Sequence, residues 1–533
     1  MAATLRQLVK YSSYLLLALV TLLPFAGLLA GLWPQQGLST EGLAQFVASP
    51  GLSSSVWQSV LAALLSSFAA FYLAFIIYSH YGLSLWWQKL ERQLAPILSL
   101  PHLALALGLV YLLGSQSLLA ELISLGLPQK SLATLIVAIT LKEIPFFLLV
   151  LGAVRRSLPL RQWRQQGQAL GYNHGQIWFL IVLPSVLPHI RLAFLAACIY
   201  TLSVVDVAMV VGPNVPELFA VKLYQWQSGF TDHKQTLAFW GNGLLILLMV
   251  VMVAFIYGQE RLMRALLRLA AGARSTLEPV RWLAPLRLIA PALIIVNALV
   301  LFTFLLQSFQ GVQDAVLSVR LWQEEWLFLQ LPLYHTLALA VLSAVGGLCL
   351  ALVALHFQHL RGRYWFDGIW LSAILLPQLS LVYGWQMGHS WLRGDYSVAW
   401  VVLAHLPFTF AYAYLVLKAP YRRLSPHYET IAASFGYGPW QRWWRVRLRL
   451  LVPSLMTSLA LAFSVSVALY IPTLMIGAGR VPTITTEAVA LASGNDQAQV
   501  AIYMLLQALL PLLVFSLALL IGQRTRGVFN AEH

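Results

Sequence analysis

Apolar residues run along this chain in long unbroken stretches, neither alternating nor confined to one helical stripe. In the first half the stretches lie near 11–32, 56–79, 95–114, 131–154, 187–211 and 235–258. In the second half they lie near 286–310, 333–356, 367–388, 396–418, 454–478 and 499–521. Each is about twenty residues long, which is what an α-helix needs to cross a hydrocarbon core of roughly 30 Å. A membrane β-barrel would instead show strands of about ten residues with alternating character. The pattern predicts an all-α polytopic membrane protein with about twelve transmembrane helices. The first stretch follows Arg6 and Lys10. It is longer than the core of a secretory signal, so it is expected to remain as the first span.

Composition points the same way. Of 533 residues, 60% are hydrophobic and 10% are charged, against roughly a quarter charged in a soluble domain. A soluble enzyme, a secreted disulfide scaffold and a disordered chain are excluded. The two cysteines, Cys198 and Cys349, sit inside apolar runs and give neither a disulfide framework nor zinc spacing. The net charge of +15 invites a nucleic-acid reading until its distribution is considered. With the N-terminus inside, 25 of the 33 Lys and Arg residues fall in inside segments. Outside lie Lys130, Lys222, Lys234, Arg320, Arg393 and Arg480; Lys142 and Arg191 fall within spans. Such asymmetry is the positive-inside rule, so the charge orients the chain in a bilayer with both termini cytoplasmic. No nucleic-acid partner is expected.

The chain also repeats itself at an offset of 265. Gly171-Tyr172 matches Gly436-Tyr437, Gln176 matches Gln441, Trp178 matches Trp443, and Pro188 matches Pro453. Upstream the register drifts: Pro145-Phe146 corresponds to Pro407-Phe408, Leu100-Pro101 to Leu376-Pro377, and Gln58-Ser59-Val60 to His335-Thr336-Leu337. Six spans per copy give the copies the same orientation, as in parallel repeats. The expected organisation is a first repeat over 1–258, a basic cytoplasmic linker over 259–285, and a second repeat over 286–533.

Between the fourth and fifth spans of each repeat lies a polar loop, 160–185 and 425–453. The first reads Gln165-Gln166-Gly167-Gln168-Ala169-Leu170-Gly171, followed by Ile181-Val182-Leu183-Pro184. The second reads Glu429-Thr430-Ile431-Ala432-Ala433-Ser434-Phe435-Gly436, followed by Val446-Arg447-Leu448-Arg449, with Pro453 four residues later. Small residues such as Gly167, Ala169 and Ala432 permit a close approach, and Gly171 and Gly436 permit a backbone turn. Pro184 lacks an N–H and marks the end of one helix or the start of the next. A compact helix-turn-helix at the inner face is predicted. For the second copy, Trp440, Trp443 and Trp444 among arginines also suit a lipid headgroup layer.

These loops resemble the EAA loop of ABC importer permeases: Glu-Ala-Ala, three residues, Gly, nine residues, then Ile-x-Leu-Pro. The first copy has the Gly, Ile, Leu and Pro but Gln165 in place of the Glu. The second keeps Gly436, Val446 and Leu448, with Glu429 displaced by one residue. The whole chain is similar to the fused permeases of iron(III)- and thiamine-type importers. That resemblance implies a bacterial inner-membrane subunit that forms the solute pathway. It also implies two copies of an ATP-binding subunit on the cytoplasmic loops and a solute-binding protein on the outer face.

No Gly-x-x-x-x-Gly-Lys-Ser/Thr loop occurs, since none of the lysines follows a glycine, and no His-Glu-x-x-His is present. No catalytic residue, metal ligand or cofactor is expected, and ATP hydrolysis would belong to a partner chain. Charge inside a span is costly and often functional. Lys142 and Glu143, before Pro145, and Asp206, before Gly212-Pro213, are therefore candidate pathway residues, though structural pairing would equally explain them. The alternative reading is an ion-driven secondary transporter of 6+6 helices in which these groups carry the coupling. A membrane scaffold or polytopic enzyme would need a polar cluster that the sequence does not display.

Overall fold

The structure is a computed structural model and describes residues 2–33, 39–84, 87, 100–114, 128–155, 158–229, 231–270, 288–309, 318–361, 367–391, 395–494 and 496–530. Among these residues the elements are helices, and no strand occurs. In chain order the first part holds α1 (Ala2–Gly31), α2 (Thr40–Val47), α3 (Leu52–Tyr81), α4 (His102–Leu113), α5 (Leu132–Arg155) and α6 (Leu160–Ala169). There follow α7 (Leu183–Ser203), α8 (Asp206–Val211), α9 (Phe219–Gln227) and α10 (Asp232–Ala270). The second part holds α11 (Ile289–Ser308), α12 (Arg320–Arg361), α13 (Gln378–Trp391), α14 (Val398–Arg423) and α15 (His427–Ser434). It ends with α16 (Val452–Ala468), α17 (Ile471–Gly477), α18 (Ile484–Leu491) and α19 (Gln497–Asn530).

Nine helices among the described residues are long and apolar enough to cross a membrane. A tenth counts if Pro439–Leu450 and Val452–Ala468, bent by 74°, form one span. Of the expected third span only the 12-residue α4 and its approach are described; residues 95–99 lie outside the described residues. The expected ninth span, 367–388, is not one helix. It is broken into Asp367–Trp370, Ser372–Leu375 and α13. The cause is Pro377, whose ring pushes the preceding residue out of the helical region. Leu376 is accordingly extended, at φ −106° and ψ 150°.

The fifth span of each repeat is also interrupted. The first stops at Ser203 and restarts at Asp206; the second stops at Ala468 and restarts at Ile471. Val204 and Leu469 are extended at the two breaks. Asp206, expected in the outer part of the fifth span, stands in the first turn of the separate six-residue helix α8 that follows the break.

By contacts the chain divides into two compact units. One contains 34–98 and 102–306; the other contains 1–33, 99–101 and 307–533. Thus α1 belongs to the unit built mainly from the second half.

In the unit of residues 34–98 and 102–306, α3 presents small buried residues at Ser55, Ser59, Ala62, Ser66, Ala70 and Ala74. Their spacing of three to four places them on one face, where helices can approach closely in lipid. Helices α5 and α7 pack against α3. Phe71 contacts Phe147 and Phe194 at 5.7 and 6.1 Å between ring centres. Helix α11 is held beside α4 by Tyr111 and Phe304, 6.0 Å apart.

In the other unit, α12 and α14 pack closely, with α16 against both. Gly347 makes the approach possible: a Cβ there would stand 2.8 Å from the Phe410 backbone nitrogen. Leu17 and Val20 of α1 enter this unit's apolar core beside Ala340, Ala344 and Leu381.

One hydrogen bond recurs in both units. The Ser59 hydroxyl accepts the Phe219 N–H at 2.8 Å, and the Thr336 hydroxyl accepts the Ile484 N–H at 2.9 Å. Ser59 and Thr336 are the residues matched in sequence, and Phe219 and Ile484 are 265 apart.

Candidate functional site

The two loops fold alike. Helix α6 is closed off by Gly171, which has φ +83°, and α15 by Gly436, with φ +79°. In the first, Tyr172 N–H donates to the Gly167 carbonyl and Gly171 N–H to that of Gln168, both at 3.0 Å. In the second, Tyr437 N–H donates to the Ala432 carbonyl at 3.1 Å and Gly436 N–H to that of Ala433 at 2.9 Å. Both are Schellman closures, which need a residue comfortable at positive φ. Beyond the two chain neighbours, no atom lies within 4 Å of where a Cβ would sit on either glycine. The requirement is therefore one of backbone conformation, not of space.

The restart is matched as well. Gln176 Oε1 accepts the Asn173 N–H at 2.9 Å, and Gln441 Oε1 accepts the Gly438 N–H at 3.1 Å. A π-helical segment follows in each copy, Ile177–Val182 and Arg442–Arg447, again 265 apart. Such segments insert a residue into the helical ladder and concentrate at functional sites. They carry the chain from the loop into α7 and toward α16.

The sequence-predicted residues fall into distinct places. Gly167 is buried, and a Cβ on it would stand 2.7 Å from Ile177 Cγ1. The close approach expected there is made by the loop's own second helix. Ala432 occupies the same position in the second loop and is also buried. Ile181, Pro184, Val446, Leu448 and Pro453 are half-buried, and Leu183 is buried. Gln165, Ala169, Gly171 and Gly436 are exposed.

Glu429 has a partner that the sequence reading did not supply. Its Oε1 lies 2.6 Å from Arg447 Nη2. Arg447 is 1% exposed, stacks 4.7 Å over the Tyr421 ring, and donates to His359 Nε2 at 3.1 Å. Because arginine only donates, His359 accepts at Nε2. The available signal was the repeat itself. At the offset of 265, Arg447 stands where the first copy has Val182, an arginine at a buried apolar position.

The outward surfaces of the loops differ. The second exposes Tyr428, Ile431 and Phe435 along α15, and Trp440 and Trp444 beyond the turn. The first presents Arg161, Arg164, Gln165, Gln166 and Gln168, with Leu170 as its exposed large apolar residue.

Within the spans, Lys142 and Glu143 are both buried. Glu143 Oε1 lies 3.0 Å from His102 Nε2, while Asp206 is half-buried at the start of α8. These three are therefore distributed over α5 and α8 rather than on one element. A polar group in the second copy went unnoticed. His405, two residues before Pro407, occupies the place that Glu143 holds before Pro145. Its Nδ1 meets the Ser466 hydroxyl at 2.8 Å and its Nε2 the Thr473 hydroxyl at 2.9 Å. Thr473 donates to the Leu469 carbonyl, so it accepts from Nε2–H and Ser466 donates to Nδ1.

The chain is similar to the inner membrane ABC transporter permease protein YnjC of Escherichia coli: 31% identical over 491 residues, covering 89% of this chain and 92% of that protein. It is 29% identical over 243 residues to the molybdenum transport system permease protein ModB of Mycobacterium tuberculosis, covering 41% of this chain and 90% of that relative. That relative is about half as long as this chain. A spermidine/putrescine transport system permease protein PotC homolog of Mycoplasma genitalium is 23% identical over 173 residues, covering 31% of this chain and 60% of its own. No family model matches, and no solved structure gives a significant match.

Proposed function

Because this chain belongs to the ABC transporter permease family, we propose that it is the membrane-spanning subunit of an ATP-driven importer whose loops 160–185 and 425–453 each receive one separate ATP-binding subunit. It is a multi-pass protein of the inner membrane. In this reading both termini and both loops face the cytoplasm, and a solute-binding protein docks on the opposite face. The two six-span repeats form the pathway, with Lys142, Glu143 and Asp206 as its polar residues. ATP-driven closure of the partners tilts the loops and reverses the side from which the pathway is open.

The observation that carries the reading is the matched loop geometry. Both copies close with the same hydrogen bonds at Gly171 and Gly436 and leave through π-helical segments 265 residues apart. A π segment leading directly into a span gives loop motion a route into the helices. The relatives' names mention molybdenum and spermidine/putrescine, and neither substrate is assigned to this chain.

The test is purification of the tagged chain from its native membrane in mild detergent, with mass spectrometry of its partners. An ATP-binding subunit at two per chain, lost when Gly171 and Gly436 are both replaced by valine, is the expected result. A folded double variant that keeps both uptake and its ATP-binding partner would overturn the loop assignment.

A further inference from the structure

Behind the second loop lies a cavity of about 160 Å³, whose lining includes Gln358, His359, Tyr421, Arg422, Leu424 and Arg447. That is about ten times the space a single water needs. We propose that this cavity binds a phosphate group, carried either on a phospholipid headgroup or on a free phosphate.

The argument starts from Arg447. Its Nη2 is used by Glu429 and His359. Its Nε and Nη1 are buried and find no hydrogen-bond acceptor among the described residues. An arginine cannot shed its proton, and leaving buried donors of a cation unmade is costly. The stack on Tyr421 covers the face of the guanidinium but leaves its N–H edges to seek acceptors.

Two neighbouring side chains with acceptor oxygens, Asp367 and Gln358, are already committed. Asp367 pairs with Lys418 and, at 2.9 Å, with Arg422. Gln358 Oε1 accepts from Arg422 at 3.0 Å and from Tyr414 at 2.9 Å, while its Nε2 donates to Asp367 at 3.0 Å. The described lining holds two cations, Arg447 and Arg422, and no carboxylate; their carboxylate partners, Glu429 and Asp367, are not part of it. When neutral, His359 accepts from Arg447 at Nε2 and so carries its hydrogen on Nδ1, adding a further donor. A lining of spare donors and positive charge suits an oxyanion, and arginine suits phosphate in particular. Leu355 and Leu424 give one wall apolar character, which is compatible with the glycerol of a lipid as well as with a free ion.

The full-length chain, reconstituted in phosphatidylcholine nanodiscs, is titrated with inorganic phosphate while its thermal midpoint is followed. In parallel, native mass spectrometry counts the phosphatidylglycerol retained from mixed-lipid discs. Leu424→Trp fills the cavity without removing a charge, and Arg447→Lys keeps the charge but loses donors. Saturable stabilisation by phosphate identifies a free-phosphate site; selective phosphatidylglycerol retention identifies a headgroup site. In either case Leu424→Trp is expected to abolish the effect and Arg447→Lys to weaken it by about tenfold. Binding of neither probe to the wild-type chain overturns the proposal. So does binding that is the same in wild type and in a folded Leu424→Trp variant.

Discussion

Arg447 Nη2 lies 2.6 Å from Glu429 Oε1, joining helix α15 to the π segment that leads toward α16. The first loop has no counterpart, since the offset of 265 places Arg164 and Val182 at these positions. The side chains are 2% and 26% exposed, so the two halves of the pair are unequal. Removing Glu429 strands a buried cation; removing Arg447 leaves a carboxylate that can turn to water. Glu429→Leu is expected to cost about 3 kcal/mol and Arg447→Met about 1 kcal/mol. Chemical denaturation of the purified chain measures both, and equal costs would show that the pair is not buried as described.

Gly171 and Gly436 make a second, sharper prediction. With open space around each Cβ position, only positive φ is at stake. Asparagine tolerates that region, whereas a β-branched residue does not. Gly436→Asn should retain ATPase partner binding nearly intact. Gly436→Val should lose it while the helix content of the spans, read by circular dichroism, is unchanged. Equal loss in both variants would mean that bulk, not backbone conformation, governs the turn.

The hydrogen bonds from Phe219 and Ile484 predict a pair of matched stability losses. Ser59 and Thr336 are buried, and removing either oxygen leaves a buried backbone N–H without its acceptor. Ser59→Ala and Thr336→Val should each cost about 1–3 kcal/mol, while Thr336→Ser should be nearly neutral. Thermal unfolding in a fixed detergent decides this. A neutral Thr336→Val would show that the N–H finds another partner.

Glu143→Gln tests the pathway reading. It keeps the size and hydrogen-bonding capacity that face His102 but removes the charge. Solute-stimulated ATPase activity of the reconstituted complex should fall, while partner binding at the loops stays unchanged. Full activity in the glutamine variant would leave Glu143 a structural partner of His102.

Much of the loop architecture was legible in the sequence because it depends on local chemistry. A Schellman turn asks for one glycine, and a capping side chain asks for one glutamine three residues along. Both appear twice at the same offset. The breaks were less legible. Val204-Val205 and Leu469-Tyr470 are as apolar as the helices they interrupt, so hydropathy runs straight through them. Pro377 was visible, and its preceding Leu376 had been matched to Leu100, but the length of the apolar run outweighed the local signal. Arg447 was hidden for another reason. In a loop rich in arginine, sequence does not reveal which one turns inward; only the valine in the other copy marks the site as apolar. Likewise His405 looks like one histidine among twelve until Pro407 is laid on Pro145.

The placement of α1 has a consequence for biogenesis. Trp385 Nε1 donates to the Leu23 carbonyl at 2.8 Å across 362 residues of chain. The backbone of Gly384 lies directly against Gly27. At a synthesis rate of about 5–20 residues per second, roughly 20–70 s separate the two sides of this contact. Helix α1 must therefore wait in lipid, its packing face uncovered, until late in translation. A ribosome that stalls near residue 300 would leave an orphan helix with Gly27 exposed, a ready substrate for membrane quality-control proteases.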